Sequence, residues 1–212
     1  MTTVLNPILR RVEDQEAQHH THAEFMLFAP EEHKAELIEG EIIVMPPPTY
    51  EHERLQMFLT TILSVFISRF NLGEVLGSRT AVYLSESNTY EPDLLFVSQA
   101  RRHIITRYKL MEVPDLVIEI LSASTAKYDR GRKYELYDQA GVQELWLLDP
   151  YGPAGTQFFQ RRDQTLVEVA PVEGVIHSST LTNFHLQTHW LWPNEQNQLI
   201  NPVEVLKALG VM

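Results

Sequence analysis

The chain has 212 residues, 44% apolar and 21% charged, a profile suited to one self-supporting domain. It contains no cysteine, which excludes disulfides, a cysteine nucleophile and thiolate metal sites; a metal here would rest on carboxylates or histidines, and carboxylates favour Mg²⁺ or Mn²⁺. The formal net charge of -11 argues against a simple DNA-binding module, yet it is compatible with a nuclease that has a local basic groove.

No apolar run approaches the roughly 20 residues of a membrane span. Residues 1–16 lack a basic stretch followed by an apolar one, so no signal peptide is expected and a cytoplasmic protein is. Residues 1–22 are polar and carry His19, His20 and His22. They read as a loosely ordered extension, with a metal-binding tract as the alternative, and residues 23–212 read as one domain. Residues 35–45 look like two short strands turning at Glu39-Gly40, and Pro46-Pro47-Pro48 stops the second.

From His52 to Phe70 the spacing turns helical, with Leu55, Phe58, Leu59, Ile62, Leu63, Phe66 and Phe70 on one stripe. His52 continues that stripe and Glu51 lies close to it. Asn71-Leu72-Gly73 ends the helix. Strands are expected over residues 74–76, 80–85 and 92–97, then a short helical or irregular stretch over 101–110 and a strand over 116–121. A helix over about 127–140 is stopped by Gly141, and a strand follows at 144–150. Strand, helix and strand in this order predict a parallel pair with a right-handed crossover. Residues 156–160, 165–171 and on to Trp192 read as antiparallel strands and loops. Residues 201–209 read as a terminal helix with Asn201 as cap and Pro202 in its first turn.

The most informative run is Leu116-Val117-Ile118-Glu119-Ile120-Leu121. It sets one carboxylate in an aliphatic strand, a costly placement unless a cation or a metal pairs with it. Pro92-Asp93-Leu94-Leu95-Phe96-Val97 carries a second acid. By alternation Asp93, Leu95 and Val97 share a face, as do Val117, Glu119 and Leu121, so on neighbouring strands both acids would reach one ion. Asp129, Lys133 and Tyr137 are spaced by four on the following helix. Lys133 would then reach the acids, where it could orient a metal-bound water and stabilise charge on a phosphate; otherwise it is an exposed helix residue. Similar alternatives stand for His52, a site residue or a hydrogen-bonded core histidine. Arg101, Arg102, Arg107, Lys109, Lys127, Arg130, Arg132 and Lys133 form either a basic groove or a solvated surface. Tyr128, Tyr134 and Tyr137 either touch substrate or pack.

Pro92-Asp93, Glu119-Ile120-Leu121 and Lys133 together resemble a migrated form of the PD-(D/E)XK nuclease signature. More closely, residues 33–190 resemble a bacterial family described as putative restriction endonucleases. The matching segments are Glu36-Leu37-Ile38-Glu39-Gly40-Glu41, Glu51-His52, Pro92-Asp93-Leu94, the run from Pro114 to Ser122, Ser124-Thr125, Asp129, Lys133, Tyr137, and the run from Gly141 to Pro150. The resemblance implies an α/β fold: an αβββαβ core whose mixed central sheet is flanked by helices, with extra antiparallel strands. It also implies an endonuclease acting on DNA, in which Asp93 and Glu119 ligate Mg²⁺ or Mn²⁺ with the Ile120 carbonyl as a further ligand. Lys133 would act near the attacking water, and Glu51 or His52 would face the same site. Superfamily nucleases often pair to cut two strands, so a homodimer is expected.

In one respect the chain departs from the pattern. The usual lysine stands two residues after the acid, and that position is Leu121. The departure and the net charge support a rival, a nuclease-like scaffold that binds or regulates without catalysis. A carboxylate-pair glycosidase fits poorly, because Glu119 lies in an aliphatic run rather than an aromatic-lined cleft.

Overall fold

The computed structural model describes residues 10–11, 19–30, 32–122 and 129–212. Ser124, Thr125, Lys127 and Tyr128, and with them the expected start of the helix at 127, lie outside those residues, as does most of 1–18. In chain order the strands are β1 (Arg10–Arg11), β2 (Ala35–Ile38), β3 (Glu41–Val44), β4 (Gly73–Gly77), β5 (Ala81–Ser85), β6 (Asn88–Tyr90) and β7 (Leu94–Ser98). There follow β8 (Lys109–Leu110), β9 (Leu116–Ile120), β10 (Glu144–Leu148), β11 (Gln157–Arg162), β12 (Thr165–Glu168), β13 (Val175–His177) and β14 (His185–Gln187). The α-helices are α1 (His22–Phe28), α2 (Tyr50–Phe70), α3 (Tyr134–Ala140) and α4 (Pro202–Ala208); a π-helical turn, Asp129–Lys133, leads into α3. None of them is long and apolar enough to cross a membrane.

The central sheet has the order β12-β11-β10-β9-β7-β4. Its β9 and β10 are parallel, joined through α3 as the strand-helix-strand pattern predicts, and every other pair in it is antiparallel. Alternation divides β9 between two cores. Leu116, Ile118 and Ile120 pack with Leu55, Phe58, Leu59 and Ile62 of α2. Val117 and Leu121 face the other way, toward Tyr137 and Val142 and toward Ile38, Ile43 and Tyr90. The seven or more large side chains that α2 buries contribute about 1.5–3 kcal/mol each, which fixes that helix against the sheet.

A second mixed sheet, in the order β1-β3-β2-β6-β5-β8, covers the face of the central sheet opposite α2. This goes beyond the expected core, in which residues 35–45 and 80–85 were simply strands. The second sheet forms because β2 is buried on both sides: Ile38 packs toward the central sheet, while Ala35 and Leu37 pack under Phe25 of α1. The β2–β3 turn is the expected one at Glu39-Gly40, with φ of 50° and 85°, as two-residue hairpin turns require. Helix α1 was not predicted, because it buries only His22 and Phe25 and shows no apolar stripe. Its signal was the capping box: the Thr21 side chain accepts from the Glu24 N–H, and Glu24 accepts from the Thr21 N–H. The histidines of that segment are engaged with protein, His19 Nδ1 with the Glu39 carbonyl and buried His22 with Thr89.

Candidate active site

Antiparallel pairing of β7 with β9 sets Leu94 opposite Ile118 and Leu95 opposite Val117. Extended by one residue, the same register sets Asp93 opposite Glu119, so both acids project from the sheet face that meets the second sheet. They open onto a cleft of about 320 Å³, lined also by Lys34, Glu36, His52, Ile120, Asp129 and Lys133, with Pro46-Pro47-Pro48 and Thr49 along its rim.

Asp93 is held from three directions. Its Oδ1 accepts from Lys34 Nζ at 2.7 Å, and its Oδ2 accepts from the Ile120 N–H at 2.8 Å and meets His52 Nε2 at 3.2 Å. Burial alone would raise this carboxyl, but the Lys34 ammonium and the His52 contact hold it well below the usual carboxylate range. His52 reaches Asp93 because Thr49 caps α2 and starts the helix one turn early enough to aim the ring inward. Its Nδ1 is buried and makes no hydrogen bond.

Glu119 accepts from the Tyr137 hydroxyl at 2.7 Å and from Lys133 Nζ at 2.9 Å, both on Oε1, which leaves Oε2 without a hydrogen-bond partner among the described residues. Lys133 also meets Glu36 at 2.7 Å and Asp129 at 3.6 Å. Burial would lower the Lys133 ammonium, but Glu119 and Glu36 raise it well above its ordinary value and keep it charged. Burial pushes the Glu36 carboxyl up, with the Glu119 charge adding to the shift and Lys133 opposing it; Glu36 Oε2 is buried without a partner. Next to this cluster Glu91 is pushed up to about 7 by burial and by Glu36.

Asp93, Glu119, Ile120, His52 and Lys133 are thus brought together, whereas Glu51, half-buried in the first turn of α2, does not line the cleft. The structure adds Lys34 and Glu36, which the sequence reading had not placed in the site. The available signal was Glu36 itself, a carboxylate inside the apolar strand β2 just as Glu119 is inside β9, with Lys34 two residues earlier on the same face. Tyr137 bonds to an acid of the site rather than reaching outward. Of the arginines and lysines considered for a groove and described here, only Lys133 lines the cleft; Arg101, Arg102 and Arg132 pair with Asp115, Glu74 and Glu39 instead.

Among the described residues, four buried carboxylates, Glu36, Asp93, Glu119 and Asp129, lie along the cleft with two ammoniums, Lys34 and Lys133. That imbalance and the oxygen-rich donor set fit a hard divalent cation. Among the described residues no three Asp, Glu or His side chains close on a single ion. Mg²⁺ does not need such a cage, since it is commonly held by one or two carboxylates with water and substrate oxygens.

Three comparisons bear on this arrangement. Two Synechocystis proteins named as uncharacterized, sll1609 and slr1290, are each 28% identical to this chain. The first matches over 120 residues, 56% of this chain and 67% of the relative; the second over 142 residues, 61% and 72%. The crystal structure of a putative nuclease from Anabaena variabilis superposes with a TM-score of 0.64 at 22% identity, covering 81% of this chain and 96% of that one, a likeness of fold. The model of the Uma2 family, described as putative restriction endonucleases, matches residues 22–189, which include both acids, their lysines, the whole central sheet and every strand of the second sheet but β1. The chain belongs to that family.

Proposed function

We propose that this protein is an endonuclease that hydrolyses DNA phosphodiester bonds in the cleft, with Asp93, Glu119 and the Ile120 carbonyl as the positions that hold Mg²⁺ or Mn²⁺. The observation that carries the reading is the register that sets two buried carboxylates side by side in one cleft. Family membership supports nuclease activity, and restriction-endonuclease-like families generally use divalent metals. When bound, such a cation lowers the pKa of a coordinated water and offsets charge on the phosphate.

The chain's own residues supply orientation. Asp93 stays ionised across the ordinary pH range, because the Lys34 ammonium balances its charge while His52 and the Ile120 N–H fix its position. Tyr137 and Lys133 hold Glu119 by Oε1 so that Oε2 remains for a ligand. Lys133 is a positioning residue that ties Glu119, Glu36 and Asp129 together. It brings positive charge to a face where Leu121 is committed to the core. His52 orients Asp93. Glu51 does not line the cleft and receives no role. Pairing of two copies to cut both strands belongs to the same proposal and is measured by sedimentation with and without DNA.

The test is cleavage of plasmid and branched DNA with Mg²⁺ or Mn²⁺ by wild type, Asp93→Ala and Glu119→Ala. Cleavage confined to the wild type supports the reading; a wild type that cuts nothing, or variants that cut equally, overturns it. One observation favours the second reading, a binding or regulatory scaffold: Glu119 already has an ammonium partner at 2.9 Å. That reading predicts a folded protein that binds partners and cuts no DNA with either metal.

A further inference from the structure

Among the described residues the cleft has two lysines, and their surroundings differ. The Lys133 side chain is 3% exposed, and its Nζ lies among Glu36, Glu119 and Asp129, with the Tyr90 ring 5.5 Å away. A phosphate could approach it only by displacing carboxylates. The Lys34 side chain is 22% exposed and sits at the cleft wall. Its Nζ donates one hydrogen bond, to Asp93 Oδ1 at 2.7 Å. An ammonium has three N–H donors, so two remain for a ligand. Lys34 leads directly into β2, which is buried along its length and fixes the position of its Cα.

We infer that Lys34 is the substrate-facing cation of the cleft: it donates to a non-bridging oxygen of the phosphate seated next to Asp93, while Lys133 organises the carboxylates behind it. This inference rests on the nuclease reading and deepens it, because it moves the phosphate contact away from the helix lysine and onto a strand-borne residue. The division follows from charge. A phosphate entering a cleft with surplus carboxylates needs an ammonium with unspent donors, and of the two cleft lysines Lys34 combines exposure with free donors. Anchored through Asp93, it would be pre-oriented toward the same oxygens that a cation on Asp93 would meet.

The experiment is a salt series of duplex-DNA binding, followed by fluorescence anisotropy with Ca²⁺ in place of Mg²⁺ to suppress cutting. Wild type, Lys34→Gln, Lys34→Arg and, as a remote control of the same charge change, Lys207→Gln are compared, with folding checked by circular dichroism. Loss of one phosphate contact should weaken Lys34→Gln about three- to tenfold at low salt and reduce the slope of log K against log salt by about 1. Lys34→Arg should retain most of the affinity, and Lys207→Gln should match the wild type. A Lys34→Gln protein that binds with wild-type affinity and slope overturns the assignment of Lys34 and leaves the nuclease reading intact. A wild type that binds no DNA overturns both. Should Lys34→Gln fail to fold, the wild type alone still decides: bound DNA should protect the Lys34 amine from reductive methylation, read by mass spectrometry, and undiminished labelling overturns the contact.

Discussion

Glu119 and Glu144 stand on adjacent parallel strands, both fully buried in apolar runs, and they have different kinds of partner. Glu144 faces the α2 side of the sheet, where its Oε1 accepts from Trp146 Nε1 and its Oε2 accepts from Ser178, Ser179 and Thr180. Every donor is neutral, all but Trp146 come from one loop, and both oxygens are used. It is a structural carboxylate that pins the segment after β13. Glu119 faces the second sheet, draws one hydroxyl and one ammonium to a single oxygen, and lines a cleft with three more buried acids. The difference teaches that a buried acid in an aliphatic strand is ambiguous by itself. What separates the two is whether its lone pairs are spent and whether its surroundings are balanced in charge.

The contrast can be broken most forcefully at Lys133. Lys133→Met leaves Glu36, Glu119 and Asp129 buried without their shared ammonium and should cost about 3–5 kcal/mol, read as a lower urea midpoint. Next in size is the effect of Glu119→Gln on cleavage. It should reduce DNA hydrolysis about a hundredfold or more, while Glu144→Gln leaves the rate within a few-fold. Stability should show the reverse. Glu144→Gln turns an acceptor into a donor against several N–H and O–H groups and should cost about 2 kcal/mol; Glu119→Gln keeps its acceptor oxygen, relieves carboxylate crowding and should change stability by less than about 1 kcal/mol. Equal thermal shifts in the two Gln variants would erase the distinction.

The smallest expected effect lies outside both acids, at His22. Burial, with the Lys109 charge adding to it, holds this imidazole below its ordinary 6.5. A histidine with a depressed folded value is stable as the neutral form: its contribution is present above pH 6.5 and is lost as pH falls below it, because the unfolded chain takes up the proton first. Between pH 7 and pH 5 the wild type should lose more stability than His22→Gln, measured by melts at both pH values.

Much of this was legible in the sequence. Helix α2 announced itself through its apolar stripe. The β9–α3–β10 unit followed from its order of elements, and the pairing of Asp93 with Glu119 followed from strand alternation. Lys133 reached the acids because residues four apart share a helical face. The second sheet was less legible, since its strands have two to five residues and the pairings β1–β3, β2–β6 and β5–β8 that assemble it join distant segments. Lys34 was missed because a lone lysine before a strand is ordinarily solvated, and only the β2–β6 pairing brings it to Asp93. Glu144 also heads an apolar strand, though it follows Gln143 whereas Glu119 has aliphatic residues on both sides; its loop of donors lies 34 to 36 residues further along the chain.

The central claim is that Glu119, unlike Glu144, is a metal position. Calorimetric titration of Mn²⁺ into wild type, Glu119→Gln and Glu144→Gln, each verified as folded, tests it most directly. The account predicts a saturable binding heat in the wild type and in Glu144→Gln that disappears in Glu119→Gln. No heat in the wild type, or an undiminished heat in Glu119→Gln, would contradict it.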